Sequence, residues 1–430
     1  MSEQCNPDAK KMSSPELDEL ACLSNRYGRD AKFVLAGGGN SSWKNSAVMY
    51  IKSSGSSLAT IKASEFVCMD RTRLRALMQK RYAQGDDSKR EAEVLADMMD
   101  SRMPGSETLR PSVETLLHDL FPYAYVLHLH PSLVNGMTCG VNGERAAHEI
   151  FGNSFVWVPE YKPGYELAKL CARLLGDYTK THGSAPKILF LQNHGVFAAA
   201  DGVDEIDSIY ENIMMRLNAR AIVKPSDEMT TVRITSDSYS YASESAAPIR
   251  AAFVGSVLSL PDPPAALIRV AGDDIDSLLD SRENFKPLDG AFTPDHIVYC
   301  GQKFLYLDDV IEPNDPAGQS GPGDREDSIG LNAPAGPDAL AQPPTLADAL
   351  AAYVAGYGRR PRIICVRGDG AYICADTAKE AENALSLFID AVKTAVYSAN
   401  FGGPRHMSQQ LTDFIVNWEI ESYRQKIAKM

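Results

Sequence analysis

The sequence predicts an α/β protein of two related domains, residues 1–228 and a degenerate second copy over 229–430. Two observations carry this. Apolar runs that end in Gly- or His-containing turns alternate with amphipathic stretches of helical period. In addition, PKILFLQNHGVFAAADGVDEID from Pro186 aligns without a gap with PRIICVRGDGAYICADTAKEAE from Pro361, with Pro186/Pro361, Ile188/Ile363, Gly195/Gly370, Ala200/Ala375, Asp201/Asp376 and Glu205/Glu380 identical. Strand–turn–strand–helix units resemble one another by chance too, so a shared strand order is the test of the duplication.

The composition is that of a chain able to bury a sizeable core. At 430 residues and a net charge of −13, with no basic stripe to compensate, a general nucleic-acid binder is excluded, whereas an anionic small substrate needs only local cations. The eight cysteines are scattered without a Cys-x-x-Cys pair, as in reduced thiols of a cytoplasmic protein. MSEQCNPDAKK lacks an apolar leader core and no stretch is long enough to span a membrane, so a cytoplasmic protein without membrane partner is expected.

Residues 14–28 predict a first helix, with Ser14 and Pro15 as start signals and Leu17, Leu20 and Leu23 at helical spacing. KFVLAGGGNSSWK reads as a short apolar strand running into Asn40-Ser41-Ser42, and AVMYIKSSGSS as a second strand ending in a Gly/Ser turn at 53–57. Two such turns can cradle an oxyanion with backbone N–H groups and hydroxyls, Lys44 and Lys52 adding positive charge. Two ordinary hairpin turns are the plainer alternative. A dinucleotide loop is rejected: Gly37 and Gly39 fit G-x-G-x-x-G, but Ser42 takes the third place and a strand comes next. Residues 64–103 read as polar and helical.

The stretch PSVETLLHDLFPYAYVLHLH, residues 111–130, holds Glu114, a helix-like run and an apolar strand ending in His128-Leu129-His130. Residues two apart in a strand face one way, so both imidazoles can be presented to a divalent metal. His194, at the Asn-His-Gly turn, is the candidate third ligand. A lone His-x-His is more often a surface or satisfied core pair; Glu114, Pro131 and a second strand-end histidine tip the reading to metal. Glu114 and His118 share a face if helical, and His118 reads as packing or supporting rather than ligating. Tyr161 and Tyr165 sit on a Pro/Gly turn, functional or merely surface aromatics. VDEIDSIYENIMMRLNARAI is a helix with acids first and arginines late. In the second half His194 has become Asp369 and no His-x-His remains, so that copy keeps the fold and loses the metal site. Residues 312–344, rich in Pro, Gly and Asp, read as a mobile loop.

In order over about 200 residues, Gly39-Asn40-Ser41-Ser42, Ser54-Gly55, Glu114, His128/His130 and His194-Gly195 resemble the class II aldolase/adducin family. GGGNSSWK, YIKSSGSSLATI and RPSVETLLH resemble in particular the aldolase part of long bacterial rhamnulose-1-phosphate aldolase/short-chain dehydrogenase proteins. FTPDHIVYCGQKFLYL, PRIICVRGDGAY and FIVNWEIESYRQKIAKM resemble the segment joining their two parts. The chain ends where the dehydrogenase part would begin, so no hydride transfer is expected.

The resemblance implies a three-layer α/β/α domain with a mixed, largely antiparallel sheet. It also implies retro-aldol cleavage of a ketose 1-phosphate to dihydroxyacetone phosphate and an aldehyde. Zn²⁺, or Mn²⁺ or Co²⁺, would sit on His128, His130 and His194 and stabilise an enediolate. Glu114 would be the acid/base. Asn40, Ser41, Ser54, Gly55 and Ser112 would hold the phosphate with Lys44 and Lys52. Tyr161 would protonate the leaving aldehyde oxygen from a neighbouring subunit, and a homo-oligomer is expected. Val113 stands where small aldolases carry a second serine. Alternatives on the same scaffold are a sugar-phosphate epimerase, a dehydratase, a decarboxylase, or a non-catalytic adducin-like scaffold. The epimerases carry Asp at the position of Glu114, and the scaffold reading predicts lost histidines.

Overall fold

The structure, a computed structural model, describes residues 14–82, 85–234, 248–308 and 345–418; the expected loop at 312–344 lies outside them. The chain divides into two compact units. Among the described residues, the first holds those up to Ser226, Pro287–Lys303 and those from Glu382 to Trp418; the second holds those between Asp227 and Lys286 and between Phe304 and Ala381. The expected boundary at 228 thus falls beside the first break, while two segments of the expected second domain pack with the first unit. No helix among the described residues is long and apolar enough to cross a membrane.

The first unit is built on a seven-stranded sheet of β1 (Asn40–Lys44), β2 (Val48–Lys52), β3 (Phe66–Asp70), β4 (Tyr125–Leu129), β5 (Val156–Val158), β6 (Ile188–Leu191) and β7 (Gly195–Ala200). Their order is β3-β2-β1-β4-β7-β6-β5, antiparallel throughout except for the β5–β6 pair. Alternation along β7 shows why there are three layers. Val196, Ala198 and Ala200 join a core cluster with Leu20, Ile206 and Tyr210, whereas Phe197 and Ala199 join a second cluster with Leu74, Leu117 and Leu167. Both faces are therefore roofed by helices, and each fully buried Leu or Phe contributes on the order of 1.5–3 kcal/mol. Helix Pro15–Gly28 begins as its sequence predicts, with the Ser14 hydroxyl accepting from Leu17 N–H at 3.4 Å.

Two local expectations are corrected. KFVLA is not a strand: Phe33 and Val34 N–H both donate to Asp30 O and Gly38 N–H donates to Leu35 O, so turns occupy the groups a ladder needs, and the strand starts at Asn40. The stretch 64–103 is not all helical either. Phe66–Asp70 pairs with β2, and helices follow only at Arg71–Gln79 and Asp87–Asp100. Alternation is masked there because Val67 and Met69 on one face and Phe66 on the other are all buried.

The second unit carries a five-stranded sheet of β8 (Thr230–Ile234), β9 (Ala266–Ala271), β10 (Leu305–Leu307), β11 (Ile363–Val366) and β12 (Gly370–Ala375), in the order β10-β11-β12-β9-β8. Taken in chain order, these strands follow the path of β1, β4, β5, β6 and β7, including one parallel pair at the same place. The ungapped alignment places β11 on β6 and β12 on β7, and the registers then agree. Ile188↔Ala198 matches Ile363↔Ile373, and the neighbouring ladders then set Val270 on Leu129, Leu305 on Val156 and Arg269 on His128. Backbone bonds outside the ladders recur as well: Ala199 N–H to Lys187 O (2.9 Å) with Cys374 N–H to Arg362 O (2.8 Å), and Gln192 N–H to Val158 O (2.9 Å) with Arg367 N–H to Leu307 O (3.0 Å).

Candidate metal centre

Three strand ends of the first sheet meet. His128 lies on β4 opposite Asn40 of β1, His130 follows just beyond β4, and His194 precedes β7. Gly195 is required by close approach, since a Cβ there would stand 2.6 Å from His130 Cδ2 and 2.6 Å from Leu129 O. The preceding Asn193 has φ 56°, a left-handed conformation that asparagine tolerates, and its Nδ2 donates to Phe292 O (3.0 Å) and Arg405 O (2.7 Å). One ring nitrogen from each of His128, His130 and His194 lies within 4.8 Å of the other two.

The chemistry of these nitrogens tests whether a metal fits. His128 Nδ1 faces Val196 O at 3.0 Å, and His130 Nδ1 faces Asp295 Oδ2 at 2.7 Å. Both partners are acceptors, an arrangement that suits a proton on each Nδ1 and leaves each Nε2 of a neutral ring to present its lone pair. Those Nε2 atoms stand 2.8 Å apart. Two lone pairs at that distance repel unless a cation lies against them. Glu114 adds negative charge, with Oε2 3.4 Å from His128 Nε2 and Oε1 3.3 Å from His194 Nε2. Three imidazoles converging beside a carboxylate fit a divalent cation. Burial holds His128 neutral, well below the usual imidazole range, as a ligand requires.

Glu114 is itself oriented from behind. Asn40 Nδ2 donates to Glu114 Oε2 at 2.6 Å, while Asn40 Oδ1 meets His118 Nε2, and His118 Nδ1 meets the Ser42 hydroxyl at 2.7 Å. Burial pushes the Glu114 carboxyl up, but positive charge gathered on the His128 and His194 side, together with the Asn40 amide, outweighs it and pulls the carboxyl down to about 2. His118, fully buried, is lowered to about 3 and stays neutral. Helix Thr115–Leu120 starts directly after Glu114, so Glu114 and His118 do share a face, and both reach Asn40. His118 is thus a support of the carboxylate.

The expected phosphate residues separate. Lys52, Ser54, Gly55 and Ser112 come together where the turn after β2 is stitched to the segment just before Glu114: Ser54 N–H donates to Arg110 O (2.7 Å), Ser112 N–H to Lys52 O (3.2 Å), and Ser53 bridges Pro111. Gly55 has φ 92°, a conformation that favours glycine. Ser41 and Lys44 are withdrawn from the set. Strand alternation turns Ser41 to the opposite face, where its hydroxyl bonds Ser24 at 2.6 Å. Lys44 lies at the other end of β1 from Asn40, buried, with Nζ donating to His118 O at 2.8 Å. Tyr161, 45 % exposed, lines a cavity of about 840 Å³ with Lys80, Arg90, Lys162 and Lys169, none of which belongs to the imidazole cluster. Tyr165 is buried, its hydroxyl donating to Lys80 O at 2.9 Å.

Sequence reasoning missed Asp295, which lies 165 positions from His130 in a segment whose pattern gave no link to the histidines. It assigned Asn40 to phosphate, whereas both ends of the Asn40 amide are engaged by Glu114 and His118.

The family model described as Class II Aldolase and Adducin N-terminal domain matches residues 18–213. A curated Bacillus subtilis (strain 168) protein, named Uncharacterized oxidoreductase YuxG, is 35 % identical over 189 residues, which is 42 % of this chain and 26 % of that protein. The chain therefore matches about a quarter of that relative's length. Among solved structures, the N-terminal class II aldolase domain of a conserved Thermoplasma acidophilum protein is 26 % identical with a TM-score of 0.41, covering 50 % of this chain and 98 % of that one. An L-fuculose 1-phosphate aldolase is 18 % identical with a TM-score of 0.32, covering 48 % of this chain and 86 % of that one. The family match thus rests on residues 18–213, the segment that carries the three histidines and Glu114.

Proposed function

We propose that the first unit is a metal-dependent lyase that cleaves a ketose 1-phosphate of the rhamnulose-1-phosphate kind into dihydroxyacetone phosphate and an aldehyde. The observation that carries the reading is the pair of Nε2 lone pairs of His128 and His130 at 2.8 Å, with His194 and Glu114 beside them. His128, His130 and His194 would hold a divalent cation, zinc in our reading, which would supply Lewis acidity for the enediolate chemistry. Glu114, ionised and fixed by Asn40, takes or returns the proton at the carbon next to the carbonyl when the C3–C4 bond is broken or made. The Ser54–Gly55 and Ser112 turns, with Lys52, grip the phosphate. Tyr161 of a second copy would serve the aldehyde oxygen, which makes a homo-oligomer part of the proposal.

Retention of all three histidines favours this over a scaffold role. The test is cleavage of a panel of ketose 1-phosphates by the metal-loaded protein, read as dihydroxyacetone phosphate released, with solvent deuterium incorporation into dihydroxyacetone phosphate as a second assay. Product and exchange, both lost in Glu114→Gln, are expected. Epimerised or dehydrated product without cleavage would move the reading to the other enediolate chemistries, and no turnover with metal bound would reject the lyase.

We further propose that the second unit is the degenerate copy, on the support of the matching strand path and registers.

A further inference from the structure

We infer that Asp295, outside the residues matched by the family model, is a positioning residue of the metal centre: it holds His130 with Nδ1 protonated and Nε2 turned to the cation. This rests on the metal reading above. The helix Pro294–Cys300 belongs to the same compact unit as the histidines. Asp295 Oδ2 lies 2.7 Å from His130 Nδ1, with the Asp295 side chain 7 % exposed. A buried carboxylate at Nδ1 selects one tautomer and one ring orientation, and it raises the basicity of the nitrogen on the other side.

The approach is built for. Gly38 faces the pair, and a Cβ there would stand 2.9 Å from Asp295 Oδ2 and 3.4 Å from His130 Nδ1. The segment carrying Asp295 is also tied to the loops that carry the site. Tyr299 OH accepts from Gly37 N–H at 3.3 Å, and Phe292 O accepts from Asn193, the neighbour of His194. One position past Asp295, His296 Nε2 meets Asp390 Oδ2 at 3.0 Å, and Asp390 accepts from the hydroxyl of Ser132, two residues beyond His130. Asp295 is therefore held on the same frame as the ligand it contacts, and a side chain placed for solvent or general ion pairing would not need a glycine cradle opposite it.

The test uses the full chain and two readouts. In metal-free protein labelled with ¹⁵N-histidine, the His130 signals, identified by their loss in His130→Gln, are expected to show Nδ1 protonated; a wild type protonated at Nε2 alone overturns the proposal. In Co²⁺ titrations followed by the visible spectrum, Asp295→Asn is expected to weaken binding by about 10–100-fold, with Asp295→Glu restoring part of it. In a His130→Gln background the same change should add no further loss, because it acts through that ring. Equal Co²⁺ affinity in wild type and Asp295→Asn also overturns the proposal. A wild type that binds no Co²⁺ instead defeats the metal reading, and the tautomer measurement still decides the role of Asp295. It does so too if Asp295→Asn fails to fold.

Discussion

The two sheets follow one strand path and part company at the strand ends. In the first, His128 stands on β4 opposite Phe197 of β7; in the second, Arg269 stands on β9 opposite Tyr372 of β12. The turn before β7 carries His194, and the turn before β12 carries Asp369. His130 corresponds to Ala271 by the same register. Where the first sheet gathers imidazoles that could hold a cation, the second surrounds a carboxylate with guanidinium groups of its own. Arg269 Nε lies 3.1 Å from Asp369 Oδ1, Arg250 Nε lies 3.0 Å from it, and Tyr372 OH closes on Oδ2. The turn backbone is nevertheless kept: His194 N–H donates to Leu191 O at 3.2 Å and Asp369 N–H to Val366 O at 3.2 Å. A ladder of backbone bonds does not depend on which side chains crown it, so one strand path can carry two different sets of polar groups.

The sharpest way to break this comparison is to make the first site resemble the second. His194→Asp should abolish metal retention and lower cleavage by at least about 10³-fold, since Lewis-acid stabilisation is worth several kcal/mol; metal content and turnover are the readouts. Glu114→Gln separates chemistry from metal holding: a loss of about 10²–10⁴-fold in turnover is expected with metal still bound. In the second unit, Asp369→Ala leaves the buried Arg269 cation without its carboxylate. A destabilisation of about 3–5 kcal/mol by thermal or denaturant unfolding is expected, with metal content unchanged.

The smallest effect contrasts two buried cations. Arg269 is paired with the Asp369 carboxylate, whereas burial lowers Lys44 from 10.5 to about 7. Between those values the unfolded chain holds the proton and the folded one does not, so folding stability attributable to Lys44 rises with pH, by up to about 1.4 kcal/mol per unit. Below about 7 both states are charged and the increment is absent. Wild type should therefore gain stability relative to Lys44→Met when unfolding is compared at pH 7 and pH 9, and a constant difference would show Lys44 to be solvated.

What sequence revealed was local or periodic. Ser14 capped the first helix, the apolar run up to Leu127 gave a strand ending at the histidines, and the ungapped repeat located four strands of two sheets at once. The three histidines were legible because they end strands at turn residues that mark themselves. What stayed hidden depends on contacts distant in sequence or on the facing of one residue. Asp295 sits beside His130 only because a downstream segment packs with the first unit. Ser41 is lost from the site because its neighbours Asn40 and Ser42 face the other way. The strand Phe66–Asp70 is buried on both faces and so lacks an alternation to read.

The measurement that tests the account most directly is metal content per chain of the gently purified or zinc-reconstituted protein, compared across wild type, His130→Ala and Asp369→Ala. About one divalent ion per chain, lost in His130→Ala and kept in Asp369→Ala, is the predicted result for a single histidine site in the first unit and none in the second. No ion in the reconstituted wild type, or an ion that survives His130→Ala and departs with Asp369→Ala, would contradict it.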